Sequence, residues 1–587
     1  MSIASGKIDA TRTSKPRRPA DRLRRIWTSS LNRSPRFVGN LTLVFGLLTL
    51  LHALLGGHRR VQMITQFAPV TASDTATAVT AAAGLLLLKL SGGLRRGQRR
   101  AWRVAVVVVL VVIVAHVVRG IDIPALVVST LLLASLLASR RRFKAKADIT
   151  SRWLALRVFV QLFLVAVLYG LALLYVRAGH RLGGDAPFLR RLQEVLGGLI
   201  GLDGPLQLRG DEFPTIFFAS MLSFGILIAF TTAYLLLRPT EPRAVLSVDD
   251  EQRLRQLLAR NGRRDSLGYF ALRRDKSVVW SPSGKAAITY RVVSGVALVS
   301  GDPIGDPEAW PGAIGAYCAL VEEYAWIPAV IGCSETGATI FQREAGLSAL
   351  QLGDEAIIDV DEFSLGGRPM RGVRQACTRV LRAGYSVDVR RVRDVPAEQV
   401  GQLVARADHW RGNEVERGYS MALSRLGDPD DGDCVIATAT VDGEVRGILH
   451  FVPWGPDGLS LDLMRRDRGA DNGLNELMIV KVIEAGNAIG VARVSLNFAV
   501  FREALERGDR IGAGPVLRAW RGVLVFLSRW FQIESLYRFN LKFRPAWEPR
   551  FLSFPSSRAL PRIGIAALEA EAFITRPKLV NRLLGRR

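Results

Sequence analysis

Histidine and cysteine are scarce in this chain, six and four residues among 587. The cysteines (Cys318, Cys333, Cys377 and Cys434) lie far apart in the C-terminal part, which excludes a disulfide scaffold or a zinc ribbon and leaves small buried side chains as the simplest reading. No G-x-S-x-G elbow, H-E-x-x-H helix, Walker A loop or D-F-G triplet occurs. Only His409 and His450 fall in the C-terminal part, and His450 sits in an apolar run where a histidine is more often structural than a base. Acid is also short: 53 Asp and Glu against 79 Lys and Arg, a formal charge of +26. What is abundant is apolar residue, 49% of the chain, with a mean hydropathy of +0.19 despite 22% charged residues. Those values coexist only if the apolar residues are concentrated, and a membrane segment is the usual reason.

They crowd into the first 240 positions. Six runs approach the roughly 20 residues a helix needs to cross a hydrocarbon core: Phe37 to Leu55, Thr75 to Leu90, Val104 to Val118, Ile123 to Leu137, Val158 to Val176 and Thr215 to Leu237. The middle ones are short and need tilt or snorkelling arginines. Arg119-Gly-Ile-Asp122 predicts a hairpin turn between the third and fourth. Polar groups within these runs are few, among them Lys89, His116, Gln161 and Tyr169; none is Asp or Glu, which argues against an ion pathway. Lys and Arg number ten before Phe37, five in 91–103 and seven in 138–157, against two in 56–74 and one in 119–122. That alternation puts the N-terminus and everything after Leu237 on the cytoplasmic side. No cleavable signal is evident, and the leader is expected to be a basic arm, whether a topology signal or a contact with anionic headgroups.

After a linker at 238–245 the composition becomes that of an α+β protein. Two successions of elements follow, 246–365 and 366–560, with a basic tail at 561–587. The first alternates a helix near Asp249 to Asn261 with short β runs, then helices at Trp310 to Tyr324 and Gly337 to Ala345. The second runs from a basic helix, Arg371 to Ala383, through β runs at 434–441, 447–454 and 459–464 to a helix at 473–488 and a strand at 493–497.

Three segments carry candidate chemistry. Leu461-Asp-Leu-Met-Arg-Arg466 ends a strand with a carboxylate and two guanidiniums, either a site or a local salt bridge. Glu476 opens a helix after Gly473, where the macrodipole alone would favour it. From Tyr537 to Arg550 cations alternate with aromatics, suiting a phosphate-bearing partner or, equally, a strand with one solvated cationic face. Upstream, Val516 to Phe531 is amphipathic and fits a helix at a bilayer surface or a core helix with snorkelling arginines.

Six ordered motifs, Gly301-Asp-Pro-Ile-Gly305, Arg374-Gln-Ala-Cys-Thr-Arg379, Arg417-Gly-Tyr-Ser-Met421, Leu461-Asp-Leu-Met-Arg465, Ser495-Leu-Asn-Phe498 and Lys542-Phe-Arg-Pro-Ala-Trp-Glu-Pro549, resemble the aminoacyl-phosphatidylglycerol synthases. These are lysylphosphatidylglycerol synthases of the multiple peptide resistance factor type, and the actinobacterial version is the most similar. The resemblance runs from about residue 245 to 560. It implies a multi-pass helical membrane domain (37–237, behind the arm 1–36) carrying two acetyltransferase-like (GNAT) folds on the cytoplasmic face of a bacterial inner membrane, the second of them catalytic. It implies transfer of an amino acid, lysine favoured over alanine, from charged tRNA to a phosphatidylglycerol hydroxyl, which lowers membrane negative charge and so the binding of cationic peptides. Catalytic roles carry over to Asp462, Arg465, Glu476 and Lys542. Binding of the lipid phosphate or the tRNA end carries over to Arg374, Arg379, Tyr419, Ser420, Arg466, Asn497, Arg544 and Arg550. No metal or cofactor is expected beyond the charged tRNA as co-substrate, and an oligomer is compatible with this organisation. The actinobacterial fusion form carries a lysyl-tRNA synthetase after this region and the sequence stops at Arg587, so the expected donor comes from a separate synthetase. Long members have about twice as many membrane helices, so lipid flipping is not implied. The rivals are a tRNA-dependent peptidyltransferase acting on a cell-wall lipid precursor and an inactive membrane-anchored binding scaffold.

Overall fold

A computed structural model describes residues 35–55, 70–95, 97–118, 123–140, 143, 150–176, 186–202, 204–206, 213–237, 241–242, 244–500 and 533–574. The chain divides into two units near Thr240. Residues 1–34 of the basic arm, the 119–122 turn, the amphipathic stretch 516–531 and residues 575–587 of the basic tail lie outside the described residues.

The N-terminal unit is helical: α1 (Pro35–Leu55), α2 (Val70–Arg95), α3 (Arg99–Val118), α4 (Ile123–Ala138), α5 (Thr150–Val176), α6 (Phe188–Leu199) and α7 (Phe213–Leu237). Six of these coincide with the six apolar runs. Two, Ala155–Val176 and Phe217–Leu235, are long and apolar enough to cross a membrane. Helices α1 and α2 meet glycine to glycine, for a Cβ on Gly46 or Gly84 would lie 3.0 Å from the other's carbonyl oxygen. Such small residues let helix backbones approach closely. Hydroxyls of Thr42, Thr49 and Ser129 bond the carbonyl four residues back, so the apolar environment meets no unpaired hydroxyl there. Helix α6 is the addition to the six runs; short and amphipathic, it has no long apolar stretch to mark it. Its Glu194 turns inward and accepts from the backbone N–H groups of Gly204 and Leu206.

The C-terminal unit is built on one 12-stranded sheet. Helix α8 (Val248–Asn261) leads into β1 (Ser277–Trp280), β2 (Ala286–Val293), β3 (Val296–Ser300), β4 (Ile304–Gly305), α9 (Trp310–Tyr324), β5 (Ile327–Cys333), α10 (Glu335–Ala345) and β6 (Ser348–Asp359). Then follow α11 (Arg371–Arg382), β7 (Ser386–Arg391), α12 (Ala397–Arg411), β8 (Val435–Val441), β9 (Glu444–Trp454), β10 (Gly458–Arg466), α13 (Leu474–Ala485), β11 (Arg493–Val500), α14 (Ile533–Leu541), β12 (Ala546–Phe554) and α15 (Leu560–Ala570). Both halves repeat one order, three strands, a helix, a strand parallel to the third, a helix and a closing strand: β1-β2-β3-α9-β5-α10-β6 and β8-β9-β10-α13-β11-α14-β12. The strands alternate with period two yet are apolar on both faces, as in β9, where Ile448 and Val452 enter one core and Leu449 and Phe451 the other.

The halves exchange their closing strands. Strand β12 inserts between β5 and β6, and β6 pairs with β11 of the second half. The division at 365 that the element order suggests is therefore not a division of the sheet. Two further expectations are corrected. The 537–550 segment is no single cationic strand: it splits into the end of α14, a turn and β12, because Asn540 and Phe543 are buried. The expected tail from 561 begins instead as α15, whose Ile563, Ala566 and Ala570 bury against the first half.

Arg550 stands where the halves lock. Its side chain is 3% exposed and pairs with Glu355 of β6 and, at 2.7 Å, with Asp265. Glu355 also accepts from the hydroxyls of Ser266 and Ser495, and Asp265 from the Asp302 N–H at 2.9 Å. Arg550 is thus an internal tie rather than a surface phosphate ligand. Burial, with the Asp265 carboxylate nearby, pushes the Asp302 carboxyl up to about 7. A second ionic knot joins the halves at Asp431, which accepts from Arg255 of α8, Tyr269 and Arg425, each at 2.7 Å.

Arg550→Ala should cost about 3–5 kcal/mol, because it strands two buried carboxylates; a thermal melt of the purified full chain measures it. For Asp302 the sign is the opposite of an ordinary surface carboxylate: the folded state holds the proton more tightly than the unfolded chain. Wild-type stability should therefore fall between pH 4 and about 7. Asp302→Asn should gain on the wild type as the pH rises from 5 to 8, read as the difference in Tm.

Candidate active site

Strands β10 and β11 are parallel but pair only at Gly458, Leu459 and Ser460 against Arg493, Val494 and Ser495. Beyond that point β10 stays bonded to β9 and β11 to β6, so a wedge opens between them toward their C-terminal ends. Both strands carry a register shift there, at Leu461/Leu463 and at Ser495/Phe498. The apex is closed by Asn497, held at φ +64, whose side-chain amide donates to the Leu461 carbonyl in place of a ladder bond. Asn540 of α14 does the same for the Leu496 carbonyl, at 3.5 Å. Asn497, expected to bind substrate, is 9% exposed and spends its side-chain amide on the Leu461 carbonyl.

Helix α13 begins just after β10. Gly473 before it has φ +103 and lies close against α11, where a Cβ would meet that of Ala376 at 3.0 Å. Glu476 in the first turn is 12% exposed and accepts from the Lys542 ammonium at 2.8 Å. Lys542 follows α14, is 48% exposed and also faces the Phe539 ring, 5.4 Å from its centroid. Two expected site residues 66 positions apart thus form one ion pair.

On β10 the carboxylate and the guanidiniums separate. Asp462 has a side chain 3% exposed. One oxygen meets Nδ1 of the fully buried His450 at 2.7 Å, and the other accepts from the Leu423 N–H at 2.6 Å. It is committed to protein on both oxygens, buried with His450 and bonded to the Leu423 amide. Nε2 of His450 is buried with no hydrogen-bond partner among the described residues. Arg465 reaches the Ala407 carbonyl and the Glu416 carboxylate, each at 3.1 Å. Together with Arg411, Arg417, Arg466 and Arg468 it lines an open cavity of about 390 Å³, where the lining carboxylates are Glu414 and Glu416 and Asp408 pairs with Arg411 at 3.0 Å and with Arg465 at 3.8 Å. Such a cavity favours an anionic group.

The remaining expected residues fall into two groups. Arg374 and Arg379 are exposed on α11, donating to the carbonyls of Leu365 and Gly367 and of Asn472, and Arg544 is exposed at φ +52. Tyr419 and Ser420 are buried, so they are not substrate contacts: the Tyr419 hydroxyl donates to the Leu298 carbonyl at 2.6 Å, and Glu571 accepts from both backbone N–H groups and the Ser420 hydroxyl. His450, Glu416 and Arg411 join the site without having been expected there. For His450 a signal exists in the sequence: counting outward from the turn Trp454-Gly-Pro-Asp-Gly458 sets it opposite Asp462. Among the described residues no group of three or more His, Cys, Asp or Glu side chains could hold a metal.

A parallel strand pair that splays at its C-terminal ends, beside a helix start and an ion pair, makes a crevice of the kind in which α/β sheets bind ligands, outside the carboxyl ends of the strands. The comparisons make this specific. Residues 255–554 match the model of the phosphatidylglycerol lysyltransferase C-terminal family, and the chain belongs to that family. Residues 30–187 match the transmembrane region of lysyl-tRNA synthetase, which with the two apolar helices makes this a membrane protein. The lysylphosphatidylglycerol biosynthesis bifunctional protein of Rhodococcus jostii is 47% identical over 502 residues, 84% of this chain and 44% of that protein. Its namesake in Mycobacterium avium is 52% identical over 355 residues, 60% of this chain and 30% of that protein. The chain thus spans less than half the length of these relatives. The solved structure of L-PGS from Bacillus licheniformis is 22% identical, covers 59% of this chain and 99% of its own, and has a TM-score of 0.48.

If the buried pair around Glu571 is purely structural, Tyr419→Phe and Ser420→Ala should each cost about 1 kcal/mol of stability. The turnover of the folded fraction should stay unchanged, as a melt and an active-fraction assay on one preparation would show.

Proposed function

We propose that this chain transfers a lysyl group from lysyl-tRNA to a headgroup hydroxyl of phosphatidylglycerol, at the cytoplasmic face of a bacterial inner membrane. The observation that supports it most is the Glu476–Lys542 pair beside the open wedge, inside a segment of the phosphatidylglycerol lysyltransferase family. The chemistry asks little of the protein. The hydroxyl oxygen attacks the ester carbonyl of the aminoacyl-tRNA, a tetrahedral oxyanion forms, and its collapse breaks the bond to the tRNA ribose oxygen, which takes up the proton. One ester replaces another, so no further energy source or cofactor is needed, and the work is orientation and charge stabilisation.

In this reading Glu476 receives the ammonium of the aminoacyl group. That ammonium competes with Lys542 for the carboxylate, which frees Lys542 for a phosphate. The arginine-lined cavity holds an anionic group of the lipid or the tRNA end, with Arg465 able to bind it bidentately once Glu416 yields. Asp462 acts through His450 and the Leu423 amide by holding the cavity wall. Two mixed α/β halves in tandem fit the GNAT-like duplication that the sequence motifs imply. Alanine as the transferred group and a cell-wall lipid precursor as acceptor are the competing assignments, and each gives a different product mass.

The test is mass spectrometry of total lipid from a bacterium that lacks aminoacylated lipids and expresses the full chain. A phosphatidylglycerol species heavier by one lysyl residue is expected. Glu476→Gln and Lys542→Ala should reduce it at least about 100-fold, the scale of removing one charge-stabilising group from an active site. A shift of another residue mass replaces lysine, and no shifted lipid with protein in the membrane rejects the assignment.

A further inference from the structure

Helix α11 carries a feature that the site does not use. Between Glu362 and Asp388 the chain has no acidic residue but holds Arg368, Arg371, Arg374, Arg379 and Arg382. At about 100° per residue, Arg371, Arg374, Arg379 and Arg382 fall within an arc of about 140°. The opposite face, Val373, Cys377 and Val380, is buried. Gln375 and Thr378 share the exposed face, and Leu381 lies at its margin. No carboxylate neutralises it: Arg374 and Arg379 bond backbone carbonyls only, and Arg368, Arg371 and Arg382 have no ion-pair partner among the described residues. The four helical arginines extend over about 16 Å of axis.

The helix also has a fixed place relative to the site. Arg379 donates to the Asn472 carbonyl at 2.7 Å, and Ala376 packs against Gly473, three residues before Glu476. The cationic face therefore belongs to the element that abuts the start of α13, where Glu476 meets Lys542. An uncompensated polar face of this kind draws a polyanion. An anionic bilayer surface would draw it too, but a helix that lies on a bilayer turns apolar residues into it, and here those residues are in the core; Leu381 is the single exposed large aliphatic on the helix.

We infer that the exposed face of α11 is an RNA-backbone surface that docks the acceptor arm of the donor tRNA and delivers its 3′ end toward Glu476 and Lys542. This rests on the tRNA-dependent reading above, so the experiment separates the two. Binding of uncharged tRNA to the detergent-solubilised full chain is followed by fluorescence anisotropy across a salt series, with no turnover required. Arg371→Ala/Arg382→Ala should weaken binding about tenfold at moderate salt and lower the slope of log K against log salt by about two, one for each phosphate that is no longer neutralised. Arg371→Lys/Arg382→Lys should retain most of the binding and the slope. In the lipid assay the alanine pair should raise KM for the charged tRNA and leave KM for phosphatidylglycerol unchanged. Unaltered RNA affinity and slope in a folded alanine pair would overturn the inference, as would a rise confined to the KM for lipid, which would assign the face to the bilayer. If wild-type protein binds tRNA with the expected dependence but makes no lipid product, the surface stands and the reaction assignment falls.

Discussion

One buried guanidinium organises the C-terminal unit. Arg550 sits in a strand from the end of the chain that has been inserted into the first half, and it meets Glu355 of the strand the first half gives in exchange. Two carboxylates and two hydroxyls converge on the same place. Hydrophobic residues could fill that volume without penalty in free energy, since a buried ion network gains little over a well-packed apolar core. What the network supplies is register: a one-residue slip of β12 would turn Arg550 to the other face and leave the acids alone. A single 12-stranded sheet assembled from two similar halves has many near-equivalent pairings, and the cost of misplacing this charge discriminates among them.

The wedge follows from the exchange. Because β6 occupies the outer edge of β11, and β9 the outer edge of β10, each wedge strand is anchored on one side and can part from the other. Asn497 and Asn540 supply the hydrogen bonds that the ladder forgoes at the apex. An unpaired carbonyl there would cost about as much as a broken buried hydrogen bond, so the opening is maintained by dedicated side chains.

Much of this is legible in the sequence. The six apolar runs and most C-terminal elements follow from periodicity and turn residues, and the family motifs single out the helix-start Glu476 and the distant Lys542 that the structure pairs. The exchange of closing strands is not, because local pattern specifies that a strand forms and which faces it buries, not which of two similar edges it joins. The same limit explains why Tyr419, Ser420 and Arg550 read as substrate ligands and prove to be buried. A motif marks residues that a fold requires, and in a chain of this kind a polar residue can be required for the interlock rather than for the substrate. Gly301-Asp-Pro-Ile-Gly305 illustrates it: Gly301 has φ +72, Asp302 accepts from the Ser334 N–H and hydroxyl at the start of α10, and none of this faces the wedge.

That distinction bears on how Asp462 and Arg465 should be understood. Three residues apart on one strand, they look like a pair acting together on a substrate. The structure divides their work: Asp462 is sealed with His450 beneath the surface and holds the Leu423 amide, while Arg465 emerges at the cavity through Glu416. The segment from Glu414 to Leu423 lies between the two, fixed at one end by the buried carboxylate and lined at the other by guanidiniums. In the proposed reaction a change at Asp462 would therefore reach the substrate through the cavity wall. A change at Arg465 would reach it directly, and loss of turnover alone would not tell them apart. The difference lies in the carboxylates at the cavity, since in that reaction Arg465 must part from Glu416 and from the more distant Asp408 before an anion can bind.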